Sequence, residues 1–507
     1  MIEKYYDGAI EQVAAGLGTV EKNHLLVRYS GQFSIEELSY KDQLEKMENI
    51  FVQMHEFEPG EITSAYEPYL TMICDGFRRY MTGTFEEFME ECDVYYLHRP
   101  VLLGYFNRGY AKREEIILLD EVAYEQERML AALERMLYAI ADRHPVLLIL
   151  NRFQLASKST MQLTARILKA ENSNIGLVLG VSDIQAMPEF LVPDWEMLYE
   201  TLDDGSKIYH IGNSGRKKEE IADDGKYADY GSEKVYRKLQ NMVEFLDFDQ
   251  AAYYLEVIER KIKFDNLFVD DPARFRMWLL FAKVSILRKD IPKALEICED
   301  LEKIHLAGRE DECAYEQDYL IATAYMYQGK LKEALEMAGE TYCIAEKISD
   351  DYRKFLSELL KTQIQMSGWY NIFFCAQDVK IEKSLTENLI RYNYRNHLAH
   401  VYIYAYDNKP EIVEKANQSE ELLIYFSKGI RIAKEIENEH LINTAYQKNI
   451  MLSSTNGMYE ISLLYSVRTY EALKVVSIRE LHIIYVRSVK MNVQWRITRM
   501  PSVCFII

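Results

Sequence analysis

Apolar positions along this chain follow two rhythms. Up to about residue 200, short continuous apolar runs are interleaved with stretches of helical spacing; from about 235 onward helical spacing dominates. Ile2, Tyr5, Tyr6, Ala9, Ile10, Val13 and Leu17 recur at helical intervals and predict a first helix, ended by Gly16 and Gly18. HLLVRY (24–29) reads as a short buried strand. A helix is expected over about 40–53, further helices rich in Phe, Tyr and Met over 61–92, and an amphipathic helix over 125–141. The apolar run EEIILLD (114–120) is taken over by its helical surroundings. His144 and Pro145 stop the helix of 125–141. VLLIL (146–150) follows, apolar at every position, as a strand covered on both faces of a parallel sheet must be. A polar loop, a helix and a second apolar strand, IGLVLGV (175–181), complete one α/β unit.

The polar, Gly- and Asp-rich stretch 201–234 reads as a linker. Beyond it, three segments align: LDFDQAAYYLEVIERK, RKDIPKALEICEDLEK and QGKLKEALEMAGETYC. Each is a turn followed by a helix with a small residue at one contact position: Ala252, Ala294 and Ala334, spaced by forty-two and forty residues. Ala282 and Ala322 stand twelve residues before the last two, and Tyr325 and Gly329 complete the third unit. A single helical hairpin cannot bury its apolar stripe alone, so such units stack. Less regular units at 396–408 and 436–462 extend the series to five or six hairpins over 235–475. Residues 476–507 are β-branched and basic, unlike a polar capping repeat.

Composition narrows the function. The chain has 507 residues, too many for one ordinary domain, and its 49% hydrophobic and 28% charged residues are those of a soluble protein. Ten prolines fit a mostly helical chain. A net charge of −20 argues against general nucleic-acid binding, which needs a positive field. The 38 tyrosines suit half-buried helix surfaces and interaction grooves. Seven cysteines without a CxxC pair suggest neither a zinc site nor a disulfide framework, and no apolar run is long enough to span a membrane. A cytoplasmic location is expected.

The frame of residues 146–157 resembles the ATPase module of STAND-class signalling ATPases, P-loop regulators with helical-repeat sensor regions. In that family four hydrophobics are followed by two acidic residues, a hydrophobic, Gln or His, an aromatic, Ala and Asp. Here the hydrophobic frame and Gln154-Leu155-Ala156 are kept, Asn151 and Arg152 replace the acidic pair, and Ser157 replaces the later Asp. The resemblance implies that the first acidic residue holds the Mg²⁺ shell and that the second polarises the attacking water. An amide carries no charge, and a guanidinium at the second position should cost on the order of 10³-fold or more in rate. No GxxxxGK[ST] occurs anywhere, and the phosphate loop is expected ahead of the first helix, before the start of this sequence. The helical hairpins resemble the longer form of the tetratricopeptide repeat.

Other candidate chemistry is sparse. His397 and His400 lie one helical turn apart with no third metal ligand in sequence reach, so a groove or surface role is expected. HExxH and GxSxG are absent, and the acidic pairs Asp203-Asp204, Asp223-Asp224, Asp270-Asp271 and Asp350-Asp351 fall where carboxylates cap helices. The expectation is a mainly α protein. It consists of a degenerate P-loop-ATPase-like α/β domain (1–200), a linker (201–234), a tetratricopeptide-like solenoid (235–475) and a divergent tail (476–507). Asn151 and Arg152 stand at inactive metal and base positions. No metal or cofactor is expected, with weak nucleotide binding left open. The expected role is a non-catalytic interaction or signalling scaffold with a protein, peptide or small effector in the repeat groove. The alternative is the sensor portion of a STAND-type regulator that has lost its phosphate loop and output domain.

Overall fold

The computed structural model describes residues 2–18, 24–29, 33–38, 49–111, 122–170, 172–182, 187–203, 207–211, 230–265, 267–367, 418–438, 441–446 and 449. The units expected at 396–408 and after 449, the tail 476–507, and His397 and His400 lie outside them. By internal contacts the chain gathers into two compact units, Met1–Arg113 with Glu125–Arg288, and Glu114–Tyr124 with Lys289–Ile507.

The first unit is built on a five-stranded sheet, β1 (His24–Tyr29), β2 (Phe51–Glu56), β3 (Val146–Asn151), β4 (Ile175–Ser182) and β5 (Lys207–Ile211), in the order β2-β3-β4-β1-β5. Every pairing is parallel, with Leu26 opposite Leu179 and Ile149 opposite Val178. All of β3 and β4 is buried, as their unbroken apolar runs require. Helix α1 (Ile2–Gly16) lays Tyr6, Ala9, Ile10 and Val13 on one face, against Leu25, Val27, Leu147, Ile149 and Val178. Full burial of each larger aliphatic chain contributes about 1.5–3 kcal/mol. Gly176 makes the close approach possible: a Cβ there would stand 2.5 Å from Val13 Cγ1. Helices α2 (Tyr69–Tyr80), α3 (Phe85–Glu91), α4 (Arg99–Arg108), α5 (Val122–Ala141), α6 (Lys158–Lys169) and α7 (Val192–Asp203) complete the α/β part.

Two expectations are corrected. Residues 51–53, expected to end a helix, begin strand β2, because pairing with β3 along its length overrides local propensity. Residues 207–211, expected within a linker, form β5 beside β1.

Helices α8 (Glu233–Glu244), α9 (Phe248–Phe264) and α10 (Asp271–Leu287) belong to the first unit. The start of α6 meets the start of α9. Buried Asp247 caps α9 by accepting from Gln250 N (3.4 Å) and also accepts from Ser159 N (3.0 Å), while Lys158 pairs with Asp249. Tyr254 of α9 lies within hydrogen-bond reach of the Thr63 amide (3.2 Å). The second unit holds α11 (Ile291–Leu301), α12 (Glu310–Gln328), α13 (Leu331–Lys347), α14 (Asp351–Ser367) and α15 (Gln418–Glu435).

The turns share one device. Leu246, Lys289 and Gly329 each take a left-handed φ, at 69°, 66° and 78°, in the short turn that follows a helix. Only at the third is the residue glycine, which meets that demand without a Cβ penalty. Ala252, Ala282, Ala294, Ala322 and Ala334 are all buried, and Tyr325 is half-buried against the cluster of Ala322, Ala334 and Ala338. The molecule is thus mainly helical, with a small parallel sheet toward the N-terminus and helical hairpins after it.

Candidate functional site

In an open parallel sheet the ligand crevice opens where neighbouring strands send their connections in opposite directions. Here β1 connects across to β2 and β4 connects across to β5, so the switch point lies between the carboxyl ends of β1 and β4. A phosphate loop joins such a strand to a following helix. That position is the segment leaving β1, SGQFSIEEL (30–38), and not a stretch ahead of α1.

The described part of that segment is apolar and turned inward. Phe33, Ile35 and Leu38 are buried, and the Phe33 ring lies 5.1 Å from Tyr6 and 5.8 Å from Tyr29. Asn151 ends β3 and is buried beside it. Its Oδ1 accepts from the Tyr29 hydroxyl at 2.7 Å. Its Nδ2 donates to the Phe33 carbonyl at 3.1 Å and lies 3.4 Å from Glu56 Oε1. Arg152 takes a left-handed φ of 53° and turns its guanidinium to Glu56 (3.1 Å) and Glu58 (3.1 Å). Glu56, at the end of β2, also accepts from Ser34 Oγ at 2.8 Å and Ile35 N at 2.9 Å. Opposite them, a Cβ on Gly180 would stand 2.3 Å from the Tyr6 hydroxyl and 2.5 Å from Asn151 Oδ1, so glycine is needed on β4. Burial lifts the phenols of Tyr6 and Tyr29 well above the ordinary tyrosine range, and both stay protonated, Tyr29 as the donor to Asn151.

Gln154, which keeps the frame, and Ser157, which departs from it, both make structural hydrogen bonds. Gln154 bridges the strand ends, donating to Ser182 O (3.1 Å) and accepting from Ser182 N (3.3 Å). Ser157 caps α6 by accepting from Thr160 N at 3.3 Å, a task that Asp performs equally well.

As arranged, these side chains are committed to one another. The oxygen of Asn151 is engaged by Tyr29, Arg152 is a cation paired with two carboxylates, and Phe33 is buried in the segment that follows β1. Sequence reasoning reached Asn151 and Arg152. It missed Glu56, Tyr29 and Phe33, because 40–53 was read as a helix and β1 was not recognised as the switch-point strand. The signal was available in FVQMHE followed by a proline-bounded loop.

In the second unit many tyrosines act inside the hairpins. Tyr315 and Tyr319 stack at 6.0 Å, and Tyr315 donates to Arg353 O at 3.0 Å. Arg353 lies over the Tyr315 ring and pairs with Glu316 (2.7 Å) and Asp350 (3.2 Å), tying α12 to α14. Half-buried Asp318 is pushed up to about 6, first by burial and then by Glu340 and Glu302. Asp270 caps α10, and Asp350 accepts from Arg353 N at 2.9 Å at the start of α14, as expected of the acidic pairs. No group of three or more potential metal ligands occurs among the described residues.

No protein-family model matches the chain, and no curated protein matches it either. Among solved structures it is similar to a Signal Transduction ATPase with Numerous Domains (STAND) protein with a tetratricopeptide repeat sensor from Pyrococcus horikoshii. The match is 11% identical over 92% of this chain and 83% of that one, with a TM-score of 0.40, a likeness too distant to carry an assignment. Among the described residues no helix is long and apolar enough to cross a membrane.

Proposed function

We propose that this chain is a non-catalytic interaction or signalling scaffold, in which a sheet of nucleotide-binding type has been turned into structure and helical hairpins receive a protein or peptide partner. The observation that carries the reading is the engagement of Asn151 and Arg152. Each group that would face metal or water in a working ATPase is instead committed to Tyr29, Phe33, Glu56 or Glu58. Exchanging those bonds for a magnesium shell would leave buried donors and acceptors unpaired, at about 1–3 kcal/mol each. The hairpins supply the binding surface, since stacked units form an extended groove.

The strand order favours a second reading, a regulator of the signalling-ATPase class whose sensor hairpins remain while its catalytic site has decayed. On either reading the protein works without turnover, and we place it in the cytoplasm. The test is ATP hydrolysis and calorimetric nucleotide binding on the purified chain with magnesium. Turnover at ordinary ATPase rates overturns the scaffold reading. Micromolar nucleotide binding without turnover favours the decayed regulator.

A further inference from the structure

Glu56 has an unusual set of neighbours for a strand-end carboxylate. Four donors converge on it: Ser34 Oγ (2.8 Å) and Ile35 N (2.9 Å) on one oxygen, Arg152 Nη2 (3.1 Å) and Asn151 Nδ2 (3.4 Å) on the other. They come from the segment leaving β1, the strand at the switch point of the sheet, and from the end of β3. A backbone amide, a hydroxyl, a side-chain amide and a guanidinium suit a phosphate-class oxyanion as well as a carboxylate. The Glu56 side chain is 13% exposed and that of Arg152 18%, so the place lies just beneath the surface.

We propose that Glu56 is an internal stand-in for an oxyanion: the donors around it form a seat for a phosphate-class group, which the chain fills in cis with its own carboxylate. The seat is closed to outside anions because a tethered carboxylate has an effective concentration that free phosphate cannot match. The inference concerns the sheet unit alone and does not depend on what the hairpins bind.

Removing the carboxylate opens the seat. In the full chain, Glu56→Ala should melt lower than the unaltered protein in chloride buffer and gain about 3 °C in saturating inorganic phosphate at matched ionic strength, while the unaltered chain does not move. Glu56→Gln, which keeps the side-chain volume, should show no phosphate response. Adding Arg152→Ala to Glu56→Ala should abolish it. Magnesium-free ADP is the second arm: a shift no larger than with phosphate marks a seat for the phosphate group alone, a larger one a seat continuous with nucleoside space, and both support the seat. Equal phosphate shifts in Glu56→Ala and the unaltered chain, or a Glu56→Gln response as large as that of Glu56→Ala, overturn the proposal. Should Glu56→Ala not fold in chloride, refolding yield is read instead. Higher recovery in phosphate than in isoionic chloride supports the seat, and equal recovery overturns it.

Discussion

Placing an acid at position 151, as the ATPase frame it resembles does, should destabilise this protein. Asn151→Asp keeps the acceptor for Tyr29 but replaces the amide donor with lone pairs. Those lone pairs face the Phe33 carbonyl, now 3.1 Å from the amide nitrogen, and the Glu56 carboxylate, now 3.4 Å from it. The carbonyl loses a buried donor, at about 1–3 kcal/mol. Two carboxylates at that separation repel by about 5 kcal/mol at an effective dielectric of about 20. Arg152 offsets part of this, and the new carboxyl escapes the rest by holding its proton. A net loss of about 3 kcal/mol at neutral pH follows, worth about two units of raised pKa. The folded-state value then lies above the unfolded one. The variant's deficit is therefore smallest below about pH 4 and grows as pH rises toward the raised value. The assay is urea unfolding by far-UV circular dichroism at pH 5 and pH 8, alongside magnesium-ATP turnover. A variant within about 0.5 kcal/mol of the parent at pH 8 refutes the reasoning, as does any gain of turnover. Pairing the change with Glu56→Gln supplies an amide donor to the new acid and should recover about 1 kcal/mol or more beyond additivity.

Gly180→Ala drives a methyl group against the Tyr6 hydroxyl and Asn151 Oδ1 and should cost about 1–3 kcal/mol in the same unfolding assay. Ala334→Leu overfills the fully buried contact in the cluster with Ala322 and Ala338 and should cost a similar amount, about 1–3 kcal/mol, read as a lower melting temperature. Asp318 sits at about 6, raised by burial, Glu340 and Glu302. Its stabilising share is thus complete below the unfolded carboxylate value of about 3.9 and is lost as pH rises through about 6. Asp318→Asn should flatten that slope by about 1 kcal/mol, discounted for partial exposure, in unfolding curves at pH 4.5 and 7.5. Asp247→Ala removes the acceptor shared by Gln250 N and Ser159 N at the meeting of α6 and α9, and should lower stability by about 2 kcal/mol.

The parts of the fold legible in sequence were those whose burial is one-sided or complete. β1, β3, β4, α1 and α5 announce themselves because a face or a whole segment must be apolar. β2 and β5 were missed for a common reason. They are the edge strands of the sheet, so their pattern is diluted, and FVQMHE carries polar residues that a helix accommodates equally well. The hairpin turns were found through alanine spacing. Their left-handed residues at Leu246 and Lys289 were not, because residue type there does not advertise the conformation as Gly329 does.

The site illustrates a different limit. Asn151 and Arg152 were visible as departures from a pattern, yet their physical meaning lies in partners far away in sequence: Tyr29 and Phe33 on one side, Glu56 and Glu58 on the other. A largely buried Arg is costly alone, since a cation without a counterion must keep its water. Glu56, at the end of β2, supplies the counterion across adjacent strands to Arg152, just past the end of β3. Each charge is the other's counterion, so the pair acts as one unit, and Ser34 and Ile35 complete the shell around the acid. The engagement of Asn151 and Arg152 at the end of β3 and the shell around Glu56 at the end of β2 are therefore one arrangement, seen from two adjacent strands.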